Sequence, residues 1–258
     1  MNARSRLVFF LVSAAAFAGV YLWGLKGLPP MGHYRGPYGD VLNRVATYER
    51  HVTDVVTAVN FDYRGFDTLG EEFILFMSVI GGAVLLRRQR EEEKSEQADQ
   101  NLGDKSPERQ APEPSDATRV LTLGLVGPLV IFGLYIVAHG QLTPGGGFQG
   151  GVILATAPLL VYLAGDLKKF KQITSHTLVE VGEAIGAGAY LAIGLAGLIL
   201  GGSYLRNVAA LGTTGTIHSG GTIALINLAT GLEVAAGFVL LLYAFLEQSL
   251  EIRLRGQK

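Results

Sequence analysis

TIALINLATGLEVAAGFVLLLYAFL, residues 222–246, runs for 25 residues with a single charged side chain, Glu233. Crossing a hydrocarbon core about 30 Å thick takes ~20 helical residues, so this stretch reads as a membrane-spanning helix. Glu233 falls near its middle, with Asn227 nearly two turns earlier. Outward from this stretch, five more apolar runs reach or approach the same length: 7–25, 68–86, 120–138, 148–164 and 178–200. The chain is therefore expected to be an all-α integral membrane protein with about six transmembrane helices.

The composition agrees. Of 258 residues, 49% are hydrophobic and only 17% charged, against roughly 25% charged in soluble domains. The 35 glycines lie inside the apolar runs, where small residues let membrane helices approach closely. A formal net charge of -1 supplies no basic stripe for nucleic acid. The absence of cysteine excludes disulfides, iron–sulfur clusters and thiolate metal sites, so neither a cofactor nor a metal is expected in this chain.

The first run follows Arg4 and Arg6, as a signal peptide would. It is longer than the usual ~7–15-residue apolar region and ends in the interfacial pair Tyr21 and Trp23, so it reads as a retained helix. With the N-terminus in the cytoplasm and sides alternating, the outside keeps only Lys26, Arg35, Arg44, Arg50, Arg64 and Arg206 of the 21 Lys and Arg. That pattern obeys the positive-inside rule at every turn and places both termini in the cytoplasm. Residues 88–118 mix both charge signs with three prolines and carry a single large apolar residue, Leu102. Such a segment cannot bury a core and reads as a disordered cytoplasmic linker. It divides the chain into a two-helix unit (1–87) and a four-helix unit (119–258). In the first unit, Val41, Val45, Val52, Val55, Val56 and Val59 recur at helical spacing among charges. They predict one amphipathic helix over 41–59 at the outer surface.

Ionisable residues inside spans are functional hypotheses by default. Only 14 clean apolar residues follow Glu72 in the second run, so this helix crosses only by taking Glu71 and Glu72 to the membrane. At this mouth, from Asp67 to Glu72 with Arg64 and Asp62 just before, the acids are either an ion or proton site or a first-turn carboxylate pair that favours the helix N-terminus and is salt-bridged to Arg64. Glu180 and Glu183 share a face of the fifth span, with His176 a turn before. Thr177 and Glu180 fit a capping box, whereas Glu183 lies a turn deeper. Glu233 either hydrogen-bonds a neighbouring helix in protonated form or belongs to a proton pathway.

HGQLTPGGGFQGG, residues 139–151, joins the third and fourth spans. It lacks the Lys-Ser/Thr ending of a phosphate loop and follows no strand, which excludes nucleotide binding. It reads as a tight turn at the outer face, with Pro144 fixing one dihedral and Gly145, Gly146 and Gly147 free to take positive φ. His139 is either a proton carrier or a partner for the last carbonyls of its helix.

This motif, from His139 through Thr143, Phe148, Gly150 and Gly151, strongly resembles the signature of the MnhB family, the B-type component of Mrp-type multisubunit sodium/proton antiporters. SGGT at 219–222 and GLEVAAG at 231–237 are similar to the last-helix pattern of that family. The resemblance covers residues 119 to about 250. VVTAVNFDYRGFDTLGEEFILF, residues 55–76, resembles the end of the large A-type component of the antiporters and the small E-type component of membrane-bound hydrogenases. Fusion of that segment to a B-type unit departs from the antiporter layout. The resemblance implies a multi-pass component of a prokaryotic plasma-membrane complex that exchanges Na+ for H+, working beside other membrane subunits that do the pumping. On this reading the chain is not an enzyme, Na+ and H+ are its cargo, and Glu71 or Glu72 lies beside the cation route. The alternatives are a membrane-arm component of a redox-driven, hydrogenase-type complex and a purely structural membrane protein.

Overall fold

The computed structural model describes residues 3–28, 36–86, 114–165 and 167–255, all helix, turn or irregular segment, with no strand among them. Residues 88–113 of the expected linker, and the basic residues Arg35 and Lys258, lie outside the described residues. Two compact units divide the chain at Val41. The first contains α1 (Ala3–Lys26), whose large apolar side chains are exposed, as suits a helix whose solvent is lipid.

The second unit runs from Leu42 onward. After α2 (Pro37–Glu49) come a single turn, α3 (Val55–Ala58), a π-helical turn (Val59–Tyr63) and α4 (Gly65–Leu85). There follow α5 (Asp116–Ala138), α6 (Gly147–Leu163), the short α7 (Leu167–Ile173), α8 (His176–Gly201) and α9 (Thr222–Arg255). Among the described residues five helices are long and apolar enough to cross a membrane: α1, α4, α5, α8 and the part of α9 from Thr222 to Leu246. Helix α6, expected as a further span, has 17 residues and a length of about 26 Å.

Helix α9 is the hub, packing against α4, α5, α6 and α8. In its membrane span 61% is buried, against 28% or less in the other four. Glycines set these contacts. A Cβ on Gly186 would come 2.5 Å from the backbone N of Glu233, so α8 and α9 touch backbone to backbone there. The direction of α4 follows from two contacts: Val79 lies beside Gly237, and Gly82 beside Leu241, four residues further along α9. Helices α4 and α9 are thus parallel, and α8 runs the other way. The segments 50–64, 139–147 and 202–221 gather at one end of the bundle, where Thr53 and Asp54 bond Gln141 and His51 bonds Gly212.

Three expectations need correction. The single helix over 41–59 is broken between α2 and α3. The backbone N–H groups of Thr53 and Asp54 leave the helical ladder to donate to the Gln141 carbonyl (3.1 and 3.2 Å). His51 adopts φ 54°, and Asp54 restarts the helix by accepting from the Val56 N–H. The last four-helix unit begins earlier than residue 119, because Ser115 caps α5 by accepting from Thr118. The capping box at Thr177 does not form. Helix α8 starts at His176, and the exposed Glu180 pairs with that histidine at 3.2 Å.

Candidate functional site

Three glutamates from three helices converge inside the second unit. Glu72 on α4 is 2% exposed, Glu233 on α9 2% and Glu183 on α8 5%. One oxygen of each is buried without a hydrogen-bond partner. Helix packing explains why the sequence folds them inward. Gly237 of α9 leaves room for Glu183, whose Oε1 would stand 3.2 Å from a Cβ there, and Gly186 of α8 does the same beneath Glu233. Alanine at Gly186 would meet the Glu233 backbone and push the helices apart, whereas alanine at Gly237 would crowd the Glu183 carboxyl itself.

The acids lie at successive depths. Glu72 follows the start of α4 by seven residues, about 10 Å, and Glu233 follows the start of the parallel α9 by eleven, about 16 Å. Glu183 is seven residues from the opposite end of the bundle, because α8 runs antiparallel. The charges of Glu71 and Glu233 act on Glu72, that of Glu183 acts on Glu233, and that of Glu180 acts on Glu183. Glu72, Glu233 and Glu183 therefore form a row from one end of the bundle toward the other. Among the described residues no group of three His, Cys, Asp or Glu closes on a point that could hold a metal ion. A row of separated carboxyls can pass a proton stepwise, and it cannot cage an ion with three acids at once.

The other residues singled out in the sequence occupy different places. Glu71 is exposed, one residue and about 100° from the buried Glu72. Arg64 and Asp67 pair with each other on the exposed surface, so Arg64 does not neutralise Glu72. His139 caps the end of α5. Its ring stacks on Tyr135 at 4.1 Å and its Nδ1 lies 3.0 Å from the Tyr135 carbonyl oxygen, and it stands apart from the row.

The glycine-rich loop serves two ends. Gly145 and Gly146 adopt φ of 147° and 122°, in the range that favours glycine. Gly147 does not: it is the first residue of α6, and what it supplies is room, since a Cβ there would strike the Asn227 carbonyl oxygen of α9. Its N–H donates to Asn227 Oδ1 at 2.9 Å, so α9 caps the start of α6. Gly150 and Gly151 let α6 touch α5 at Val137 and α9 at Val234. Thr143 donates to the His139 carbonyl at 3.4 Å, Pro144 is exposed, and Phe148 meets Phe238 edge-on. Sequence reasoning missed Tyr190, fully buried, whose hydroxyl donates to the Gly65 carbonyl at 2.9 Å and so ties α8 to α4. A lone aromatic among the small residues of the fifth span was the available signal. It also missed Thr57 and Thr68, both buried below the glycine loop.

Comparison with known proteins bears on this arrangement. A family described as a domain related to the MnhB subunit of Na+/H+ antiporter matches residues 117–240. That stretch holds most of α5 and α9 and all of α6, α7 and α8. A relative is the B-type component of the Na(+)/H(+) antiporter of Alkalihalophilus pseudofirmus, 36% identical over 90 residues, which are 34% of this chain and 58% of that one. The chain thus spans a little over half the length of that relative. A chain of the membrane-bound sulfane sulfur reductase, an archaeal respiratory membrane complex, is similar over 93% of this chain and 98% of its own, at 29% identity and a TM-score of 0.69. The Mrp complex from Dietzia sp. DQ12-45-1b shares the fold, with a TM-score of 0.63 at 22% identity, over 95% of this chain and 26% of that one. The residues that match this family include Glu183 and Glu233, while Glu72 comes from the segment before them.

Proposed function

We propose that this chain is a membrane component of a multisubunit monovalent cation/proton antiporter, and that Glu72, Glu233 and Glu183 form part of its ion path. It sits in a prokaryotic plasma membrane against other membrane subunits, with both termini cytoplasmic. It is a transport protein, not an enzyme, needs no cofactor of its own, and treats Na+ and H+ as cargo. The observation that carries this reading is the row of three buried carboxyls with unpartnered oxygens. An ionised carboxylate held in hydrocarbon costs several kcal/mol unless a proton or cation accompanies it. Each acid is therefore a station that ions can load and leave. The family that matches residues 117–240 and the named antiporter relative support the reaction class.

A second reading has its own support: the same module driven by a redox enzyme. The likeness to a sulfane sulfur reductase chain extends over nearly all of that chain, whereas the antiporter relative is matched over little more than half. One experiment addresses both. Glu72→Gln, Glu233→Gln and Glu183→Gln keep shape and hydrogen bonding while removing the charge. In vesicles containing the intact complex, cation-dependent proton movement is expected to fall at least tenfold in one or more of them. Normal movement in all three, with the complex assembled, leaves only a structural role for the acids. Iron–sulfur or nickel–iron proteins co-purifying in mild detergent decide for the redox-driven form, and their absence for the antiporter.

A further inference from the structure

A cavity of about 240 Å³ opens at the loop end of the bundle, between the π-helical turn, the start of α4 and the glycine-rich loop. Its lining is graded. Glu71, Asn60 and Gln149 are exposed at its rim, whereas Glu72, Thr57 and Thr68 are buried at its floor. None of the lining residues is basic. Glu72 contributes a buried carboxylate whose Oε2 has no partner. The Thr57 hydroxyl lies 2.6 Å from the Gly140 carbonyl oxygen and 2.9 Å from Asp54 Oδ2, and its one proton goes to these acceptors, which leaves its lone pairs free to accept. Gly145, Gly146 and Gly147 form the wall. A side chain on Gly146 would stand 2.9 Å from Asn227 Oδ1 and 3.6 Å from Gln149 Oε1, so glycine is what keeps the space open.

We propose that this cavity binds a partly hydrated monovalent cation, held by Glu72 and by the neutral oxygens of Thr57, Thr68, Asn60 and Gln149. The proposal rests on the antiporter reading and names what that path holds at its outer end. Carboxylate, hydroxyl and amide oxygens are the donors that hard cations take. A lining of acids without a basic residue raises the local cation concentration. One buried carboxylate balances a single positive charge, and divalent sites recruit more charged ligands. With each water occupying about 30 Å³, the volume takes an ion with several waters. A pure proton relay has no use for a space of that size walled by amides and glycine. The cation thus sheds water stepwise from rim to floor, and the row beyond Glu72 is left to protons.

The test compares equilibrium 22Na+ binding and the apparent KM for Na+ in the intact complex, in Thr68→Val and Gln149→Leu. Each removes one neutral ligand and no charge. Both are expected to weaken Na+ binding about fivefold or more and raise KM equally while preserving maximal exchange, and Thr68→Ser is expected to restore binding. Gln149 is exposed, so that variant decides alone if Thr68→Val fails to assemble. Parental Na+ binding in the assembled variants overturns the cavity proposal while lost exchange in Glu183→Gln and Glu233→Gln keeps the path. Undiminished exchange in both glutamine variants overturns the path, and this proposal with it.

Discussion

Gly147 shows how a single residue decides this fold. It lies where α6 begins against α9, and the first atom of any side chain would meet the Asn227 backbone carbonyl, with Thr230 Cβ 2.7 Å away. Backbone cannot swing aside as a long side chain can. Overpacking of this kind is destabilising by about 1–3 kcal/mol, and here it also breaks the Asn227 cap on the Gly147 N–H. Gly188, on α8, meets nothing within 4 Å. Gly147→Ala is therefore expected to lower the melting temperature of the solubilised complex and its yield. Gly188→Ala is expected to leave both unchanged or raised, since alanine favours a helix interior by roughly 0.5–1 kcal/mol. Equal behaviour of the two variants would show that the close approach is not what the motif serves. At this scale the sequence was legible in part. Adjacent acids at 71 and 72 announce a site, yet positions about 100° apart on a helix cannot both face the core. Only the packing of α4 on α9 reveals that Glu72 is the inward one and that Arg64 turns away to Asp67.

Among the elements, the break between α2 and α3 was the least legible. Periodic valines over 41–59 describe a continuous helix correctly by pattern, but pattern does not reveal that Gln141, far along the chain, takes the N–H groups of Thr53 and Asp54. The broken segment is braced by a small polar network. Arg50 binds Asp62 at 2.7 Å and lies 4.6 Å over the Tyr63 ring, while the Tyr63 hydroxyl donates to Glu49 at 2.6 Å. Burial, and then that hydrogen bond to Glu49, push the Tyr63 phenol above the usual tyrosine range. A proton held more tightly in the folded state adds stability that is fully present below the unfolded value of about 10. It is lost as pH rises through the raised folded value. The brace is thus expected to be insensitive to pH up to about 10 and to weaken above it. The stability difference between the parent and Tyr63→Phe should stay flat from about pH 7 to about 10 and then shrink. A difference that already declines near pH 8 would remove Tyr63 from the brace.

For the whole molecule, the apolar runs made the spans legible because length alone decides what crosses a membrane, whereas the partner of each helix does not follow from hydropathy. Residues 88–118 separate two parts of the sequence, but α4 from the first part lies along α9 from the second. That packing sets Glu72 beside Glu233, and Tyr190 of α8 bonds the Gly65 carbonyl at the head of α4. The row of acids is therefore assembled from both parts, and neither carries it alone. If noncovalent packing of α4 on α8 and α9 holds the parts together, the covalent connection is dispensable. Co-expression of the chain as two polypeptides, cut near residue 100, is expected to yield a complex in which both fragments co-purify and cation-dependent proton movement is retained. A contact-dependent control sharpens the outcome. In the split form, where no linker raises the effective concentration of the partner, Gly82→Leu is expected to release the first fragment, because a Cβ at Gly82 already stands 3.2 Å from the Leu241 side chain. In the fused form the same substitution is expected to weaken the complex without separating the parts. Failure of the unsubstituted fragments to associate would show that the segment 88–118 holds the two parts together, and that the α4–α9 contact forms only because the chain is continuous.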